Sequence, residues 1–245
     1  MRLWASRRLR TSGPWPWDRE LGLAPNRALA DREMACALTA EVPDDSSRSR
    51  HGRPRPGAIV LARHGEPALS RKVRLSAREY REFWARYEMQ GLLPGQTPPQ
   101  ILADFAGRSG TLMASTRLRS IESAEKLAGG RDFSREAILI EAPLPPPNWP
   151  GWIKLAPRYW GFIARFWWWF FNHHEGGETR RQAEARAERA ADMLEALALQ
   201  GEDVVVLAHG FFNFMIGRAL RRRGWRQTHG EGWKYWSLRR FERAP

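Results

Sequence analysis

The chain has 245 residues, one cysteine, and 40 Lys plus Arg against 27 Asp plus Glu, a formal charge of +13. That length suits one α/β domain with a full core and some extra sequence, and the lone Cys36 excludes an intrachain disulfide and a cysteine-rich metal site. The basic balance points to acidic partners (phosphorylated molecules, anionic lipid or nucleic acid) without choosing among them.

Residues 1–56 are rich in Arg, Pro, Ser and Asp and sustain no apolar period, so a disordered basic extension is expected there, with Met34 as an alternative start. Arg7-Arg8 is not followed by the apolar run a twin-arginine signal needs. The folded domain is expected over 57–245. Ile59 to Ala62 is an apolar run of strand length that delivers Arg63, His64, Gly65 and Glu66 at its end. Ser76 caps a helix over Ala77 to Gln90, with Tyr80, Trp84 and Tyr87 on one face, and a second helix follows over Pro99 to Ala106. Thr111 to Ala114 is a short strand, and the turn Ser115 to Arg119 leads into a helix over Ser120 to Ala128.

Ala137 to Ile140 is the next strand expected, with Glu141 just past it; a catalytic carboxylate and a solvated one are both open at that position. The prolines of 143–150 open an aromatic-rich insertion, about 143–178, centred on residues 159–171. Those thirteen residues, interrupted by Arg165, are too short to span a membrane. They read as a helix capping the sheet mouth, with a lipid-facing or dimer surface as alternatives. His173 and His174 are neighbours that point apart and lack a third ligand at useful spacing, so no metal is expected. Thr179 to Leu199 is an amphipathic helix, Asp203 to Ala208 a second buried-type strand ending in His209-Gly210, and Phe211 to Arg222 a helix with a basic last turn. Trp233 to Phe241 alternates enough for a final edge strand, and His51 and His229 read as surface residues.

Two strands that each end in a histidine and a glycine suggest one shared pocket, because ligands bind open α/β sheets at the carboxyl ends of the strands. Arg117 and Arg119 both sit in the turn before a helix, where free backbone N–H groups also favour an anion.

These motifs, in this order, resemble the histidine phosphatase superfamily, the group that contains cofactor-dependent phosphoglycerate mutases and many acid phosphatases. Arg63-His64-Gly65-Glu66 stands at its Arg-His-Gly signature, Ser115 to Ala124 looks like its second motif, and His209-Gly210 matches its second histidine. Gly177-Glu178-Thr179 resembles a Gly-Glu-Ser turn of the family. The resemblance implies a three-layer αβα sandwich with a mostly parallel central sheet. It selects Arg119 over Arg117 as a phosphate ligand and makes Glu141 the general acid. Ser70 stands where mutase-like members carry asparagine, and their sugar-phosphate segment is not recognisable in 71–100, so a phosphatase rather than a mutase is implied.

The chemistry is coherent by itself. Arg63, Arg119 and His209 can hold phosphoryl oxygens while neutral His64 attacks phosphorus, forming a phosphohistidine, and Glu141 protonates the leaving alkoxide. The expectation is a metal-independent phosphohydrolase acting on small phosphomonoesters, cytoplasmic and without cofactor. Glu66, Ser70 and Gly210 are further candidates for substrate contact, Glu66 with an alternative role in orienting Arg63 or at the loop surface. The alternatives are a phosphoprotein phosphatase and a non-catalytic phosphate-binding or membrane-peripheral protein using the aromatic segment. No nucleic-acid motif accompanies Arg221-Arg222-Arg223, so nucleic acid is not an expected partner.

Overall fold

A computed structural model describes residues 55–244. The expected extension over 1–56 lies outside them apart from Arg55 and Pro56. Strands β1 (Ile59–Arg63), β2 (Thr111–Ser115), β3 (Ser134–Glu136) and β4 (Val204–Ala208) pair in parallel, and β5 (Arg226–Gly230) and β6 (Leu238–Glu242) are added antiparallel. The sheet order is β3-β2-β4-β1-β6-β5.

The two-residue period of the strands sorts the core. Ile59, Leu61, Val204 and Val206 face one way, onto helices α5 (Arg180–Leu199) and α6 (Gly210–Arg222). Val60, Ala62, Val205 and Leu207 face the other, onto α2 (Gln100–Arg108) and α3 (Leu118–Ala128). The result is the expected three-layer α/β sandwich. Both sides of β1 and β4 are covered, which is why their sequences are continuous apolar runs rather than alternating ones.

Helices α1 (Ala77–Met89) and α4 (Pro157–Phe171) form a smaller cluster around Tyr80, Phe83 and Trp160. A reciprocal Ser76–Glu79 capping box fixes the start of α1, and Thr179 with Gln182 does the same for α5. The aromatic stretch is helical from Pro157, and Asn172 in the left-handed region ends it. Trp160, Ala164 and Trp168, four apart, point inward. The two indole N–H groups are satisfied by the carbonyls of Leu75 and Glu178. Among the described residues no helix is long and apolar enough to cross a membrane.

Two strands differ from expectation. The chain over Ala137–Leu139 is a 3-10 turn, and the strand is the preceding Ser134–Glu136, paired with Met113–Ser115. Arg186 pulls the carbonyls of Ile138 (2.8 Å) and Ile140 (2.6 Å) toward α5, which bends the apolar run out of the sheet. The last strand is only Leu238–Glu242 and lies inside the sheet, between β1 and β5. The edge is β5, whose sequence Arg-Gln-Thr-His-Gly has no apolar face to betray it. Residues 233–237 leave the strand at Trp236, which takes φ of 62°, and this frees Trp233 and Tyr235 to turn toward the end of β1.

Candidate active site

Strand register brings the two histidines together. Arg63 pairs with Ala208, so the next residue on each strand, His64 and His209, leaves the sheet side by side, and the His64 N–H donates to the Ala208 carbonyl at 3.0 Å. Their rings lie 5.1 Å apart, edge to face, and both residues are buried.

Each imidazole is held in a definite tautomer. His64 Nδ1 lies 2.7 Å from the Gly65 carbonyl; a carbonyl only accepts, so the proton is on Nδ1 and Nε2 carries the lone pair. Arg119 donates from Nε to that Nε2 at 3.2 Å and from Nη2 to His209 Nδ1 at 3.3 Å. His209 therefore keeps its proton on Nε2 and donates it to Ser115 Oγ at 2.8 Å. Burial first, then the positive charges of Arg119 and Arg63, holds His64 well below the usual histidine range, with only the Gly65 carbonyl and its hydrogen bond opposing. His209 is lowered in the same way, by burial and then by Arg119. Both are neutral near pH 7.

Arg119 sits in the first turn of α3, which begins at Leu118, two residues earlier than expected, so Arg119 is the second helical residue rather than part of the preceding loop. It is fully buried. Its charge is met by the Glu88 carboxylate at 2.9 Å, and Nη1 donates to the carbonyls of Tyr87 and Glu88 at the C-terminal end of α1. The other Glu88 oxygen lies 2.8 Å from Arg117 Nε. Of the two arginines of this turn, Arg119 is the one at the histidines.

Arg63 lies over the Tyr235 ring at 4.3 Å and donates to the Trp233 carbonyl. Its buried Nε has no hydrogen-bond partner among the described residues. Arg71 donates to the Tyr235 hydroxyl at 3.1 Å, and its positive charge contributes to lowering His64. Gly65 and Gly210 make room. A Cβ on Gly65 would sit 2.5 Å from the Trp236 ring, and one on Gly210 would meet Arg63 Cδ at 3.3 Å.

Glu141 accepts from the Phe211 and Phe212 N–H groups, at 3.3 and 2.8 Å, in the first turn of the helix that follows His209. It is thus beside the histidines without a hydrogen bond to either. The Glu178 carboxylate, from the Gly-Glu-Thr turn, holds Arg186 with two bonds of 2.8 and 2.7 Å, and Arg186 in turn fixes the segment before Glu141. The Glu66 carboxylate makes no bond to Arg63. Instead the Glu66 backbone is clamped on both sides by Gln96 at 2.7 Å, and Gln96 also accepts from the Trp236 indole. Ser70 is exposed and, among the described residues, accepts only from Lys72 in a local turn. Among the described residues no group of three His, Cys, Asp or Glu side chains is placed to hold a metal ion.

Ser115, Glu88, Arg71, Tyr235, Gln96 and Arg186 are site components that the motifs do not announce. Of these only Ser115 stands inside a motif, as the first residue of the second one, where the sequence assigns it no role; the structure makes it the last residue of β2. The assembly can do one thing well chemically: present an uncharged imidazole lone pair inside a ring of guanidinium groups, where an oxyanion would be drawn in and held.

A sequence model described as histidine phosphatase superfamily (branch 1) matches residues 59–244. No curated protein matches. Similar solved structures include the product of an open reading frame of Mycobacterium tuberculosis, 19% identical with a TM-score of 0.44, covering 75% of this chain and 90% of that one. A mycobacterial glucosyl-3-phosphoglycerate phosphatase is 21% identical with a TM-score of 0.46, covering 69% and 81%. Phosphoserine phosphatase from Entamoeba histolytica is 16% identical with a TM-score of 0.43, covering 68% and 80%.

Proposed function

We propose, from the premise that this chain belongs to the histidine phosphatase superfamily, that it is a phosphohydrolase removing phosphate from small phosphomonoesters through a phosphohistidine on His64. One observation carries the reading: the bond from His64 Nδ1 to the Gly65 carbonyl leaves the Nε2 lone pair facing the guanidinium of Arg119.

In this reading the phosphoryl group enters between Arg63, Arg119 and His209, and Arg119 Nε exchanges His64 for a phosphoryl oxygen. His64 Nε2 forms the new bond to phosphorus as the bond to the leaving oxygen breaks. Arg63, whose Nε has no other partner, and Arg119 meet the charge on the equatorial oxygens, and the Nε2–H of His209 turns from Ser115 to a third oxygen. Glu141 gives its proton to the departing alkoxide. A water then attacks phosphorus, Glu141 takes the proton back, and breakage of the P–N bond restores neutral His64. The arginines supply the cationic clamp, so the cycle needs neither metal nor cofactor. In the same reading Arg71 and Tyr235, bonded to each other next to Arg63 and His64, contact the part of the substrate beyond the phosphate.

The test is hydrolysis of phenyl phosphate by the purified full chain with chelator present. Turnover that persists under chelation and disappears in His64→Ala supports the reading. Equal turnover in the two proteins, or turnover that chelation abolishes, contradicts it.

A further inference from the structure

Helix α4 has an outward aromatic face that the fold does not use. Tyr159, Phe162, Phe166 and Phe170 recur three or four residues apart, opposite the buried Trp160, Ala164 and Trp168, and are 51, 69, 40 and 66% exposed. At the C-terminal end of this face the rings cluster on the surface: Phe166 lies 4.7 Å from Phe170 and 6.0 Å from Phe171, which is itself 63% exposed. Lone exposed apolar residues need no explanation, but a continuous aromatic stripe does.

One side of the stripe is basic. Arg158 lies over the Tyr159 ring at 4.7 Å, and Trp169 is flanked by Arg180 at 4.1 Å and Arg218 at 5.2 Å. Among the described residues Arg158, Arg165, Arg181 and Arg218 have no carboxylate within ion-pair distance. The helix itself contains two arginines and no acidic residue. An open groove of about 520 Å³, lined by Trp169, Phe170, Arg180, Arg181 and Glu184, continues the surface beyond the end of the stripe; Glu184 is paired with Arg180 at 3.0 Å, which leaves Arg181 as its unpaired cation among the described residues.

We propose that this face docks the protein on a bilayer containing anionic lipid, with the stripe of α4 lying in the interface and the flanking arginines on lipid phosphates. Aromatic side chains favour the headgroup boundary, and arginine stems reach polar phosphates from an apolar plane. With 15 residues and internal charge, α4 lies along the surface rather than crossing it. Charge decides between a bilayer and a second copy of the chain. A two-fold contact through α4 would set the basic flank of one copy against the same flank of the other, with no acidic residue on either helix to relieve it. An anionic bilayer supplies the missing charge. The inference does not depend on the phosphatase reading. If both hold, the active site works at the bilayer surface, because the inner face of the same helix places Trp168 5.9 Å from Phe211, two residues past His209.

The test is flotation of the full chain with phosphatidylcholine vesicles and with vesicles containing about a third phosphatidylglycerol. Binding to the anionic vesicles at least about tenfold tighter than to the neutral ones is expected, since each arginine near such a surface adds about a factor of five. Phe162→Ser combined with Phe166→Ser should lose the binding while circular dichroism and melting stay unchanged, because both side chains are exposed. Arg158→Gln with Arg181→Gln should weaken it and reduce its salt dependence. Absence of flotation, or flotation unaffected by the phenylalanine pair, overturns the proposal. So does a dimer in sedimentation velocity that Phe166→Ser dissociates in a chain that binds no vesicles, which would mean that a second copy covers the stripe.

Discussion

Arg119 donates from Nε to His64 Nε2 at 3.2 Å, so without substrate the guanidinium occupies the lone pair proposed to attack phosphorus. A phosphoryl oxygen must displace that bond and then uses the same donor, which makes Arg119 both guard and clamp. Arg119→Ala should lower kcat by about 10² to 10³. The variant should still fold, because Arg117, 2.8 Å from Glu88, keeps that carboxylate paired. Steady-state kinetics with a melting curve checks both halves; a folded variant of unchanged kcat would remove Arg119 from the clamp.

Ser115 has no role in substrate chemistry by itself, but it accepts the Nε2–H of His209 and so sets that ring's tautomer. Ser115→Ala should reduce kcat by about tenfold, the order expected when a buried donor loses its acceptor. Nitrogen NMR of labelled histidine should show His209 leaving a single tautomer. A kcat loss with the tautomer intact would point to a packing effect instead.

Arg71 donates to the Tyr235 hydroxyl, and the Tyr235 ring lies 5.8 Å from that of His64, so Arg71 reaches the histidine pair through Tyr235 without a hydrogen bond to either imidazole. Arg71→Gln is therefore predicted to raise KM by about three- to tenfold with little change in kcat, the pattern of an interaction made equally in ground and transition states. A drop in kcat at constant KM would place Arg71 in the chemistry.

Folding stability should fall in acid because of the two buried imidazoles. Both are held well below the ordinary 6.5, first by burial and then by Arg119. Below about pH 6.5 the unfolded chain binds protons at these positions and the folded chain does not, so the slope of unfolding free energy against pH is positive there. The stabilisation is full above that pH. It declines by about 1.4 kcal/mol per pH unit for each histidine until the folded-state value is reached. Urea midpoints across this range, in the natural chain and in His64→Asn with His209→Asn, measure it. The double variant should show the shallower loss, and equal slopes would contradict the assignment.

Gly65→Ala should destabilise the fold by about 1 to 3 kcal/mol, since the added Cβ meets the Trp236 ring at 2.5 Å where the C-terminal segment closes on β1. The expected fall in Tm is about 2 to 4 °C per kcal/mol for a domain of this size.

The sequence revealed most where burial is two-sided. The runs Ile59 to Ala62 and Val204 to Ala208 read as buried strands, and their matched endings suggested the shared pocket in which His64 and His209 meet. The same logic misled at Ala137 to Ile140, apolar enough for a strand but bent away by Arg186, whose partners are carbonyls invisible in any pattern. Strand β5 is polar throughout and rests on its pairing with β6, so no periodicity marks it. Glu88, Arg71 and Tyr235 come from a helix end, a loop and a turn far apart in the chain. Their convergence is a property of the tertiary structure, dependent on the left-handed Trp236 and on the placing of α1, and local sequence carries no trace of it.

The most direct test is to trap the intermediate. Glu141→Gln retains the carbonyl oxygen that accepts from α6 but has no proton cycle to activate water, so it should accumulate phosphoenzyme during turnover of phenyl phosphate. The adduct, quenched in alkali and mapped by mass spectrometry, is predicted to lie on His64, to be labile in acid, and to be absent when His64→Ala is added. Phosphate on any other residue, or turnover retained after His64→Ala with no adduct formed, would contradict the account.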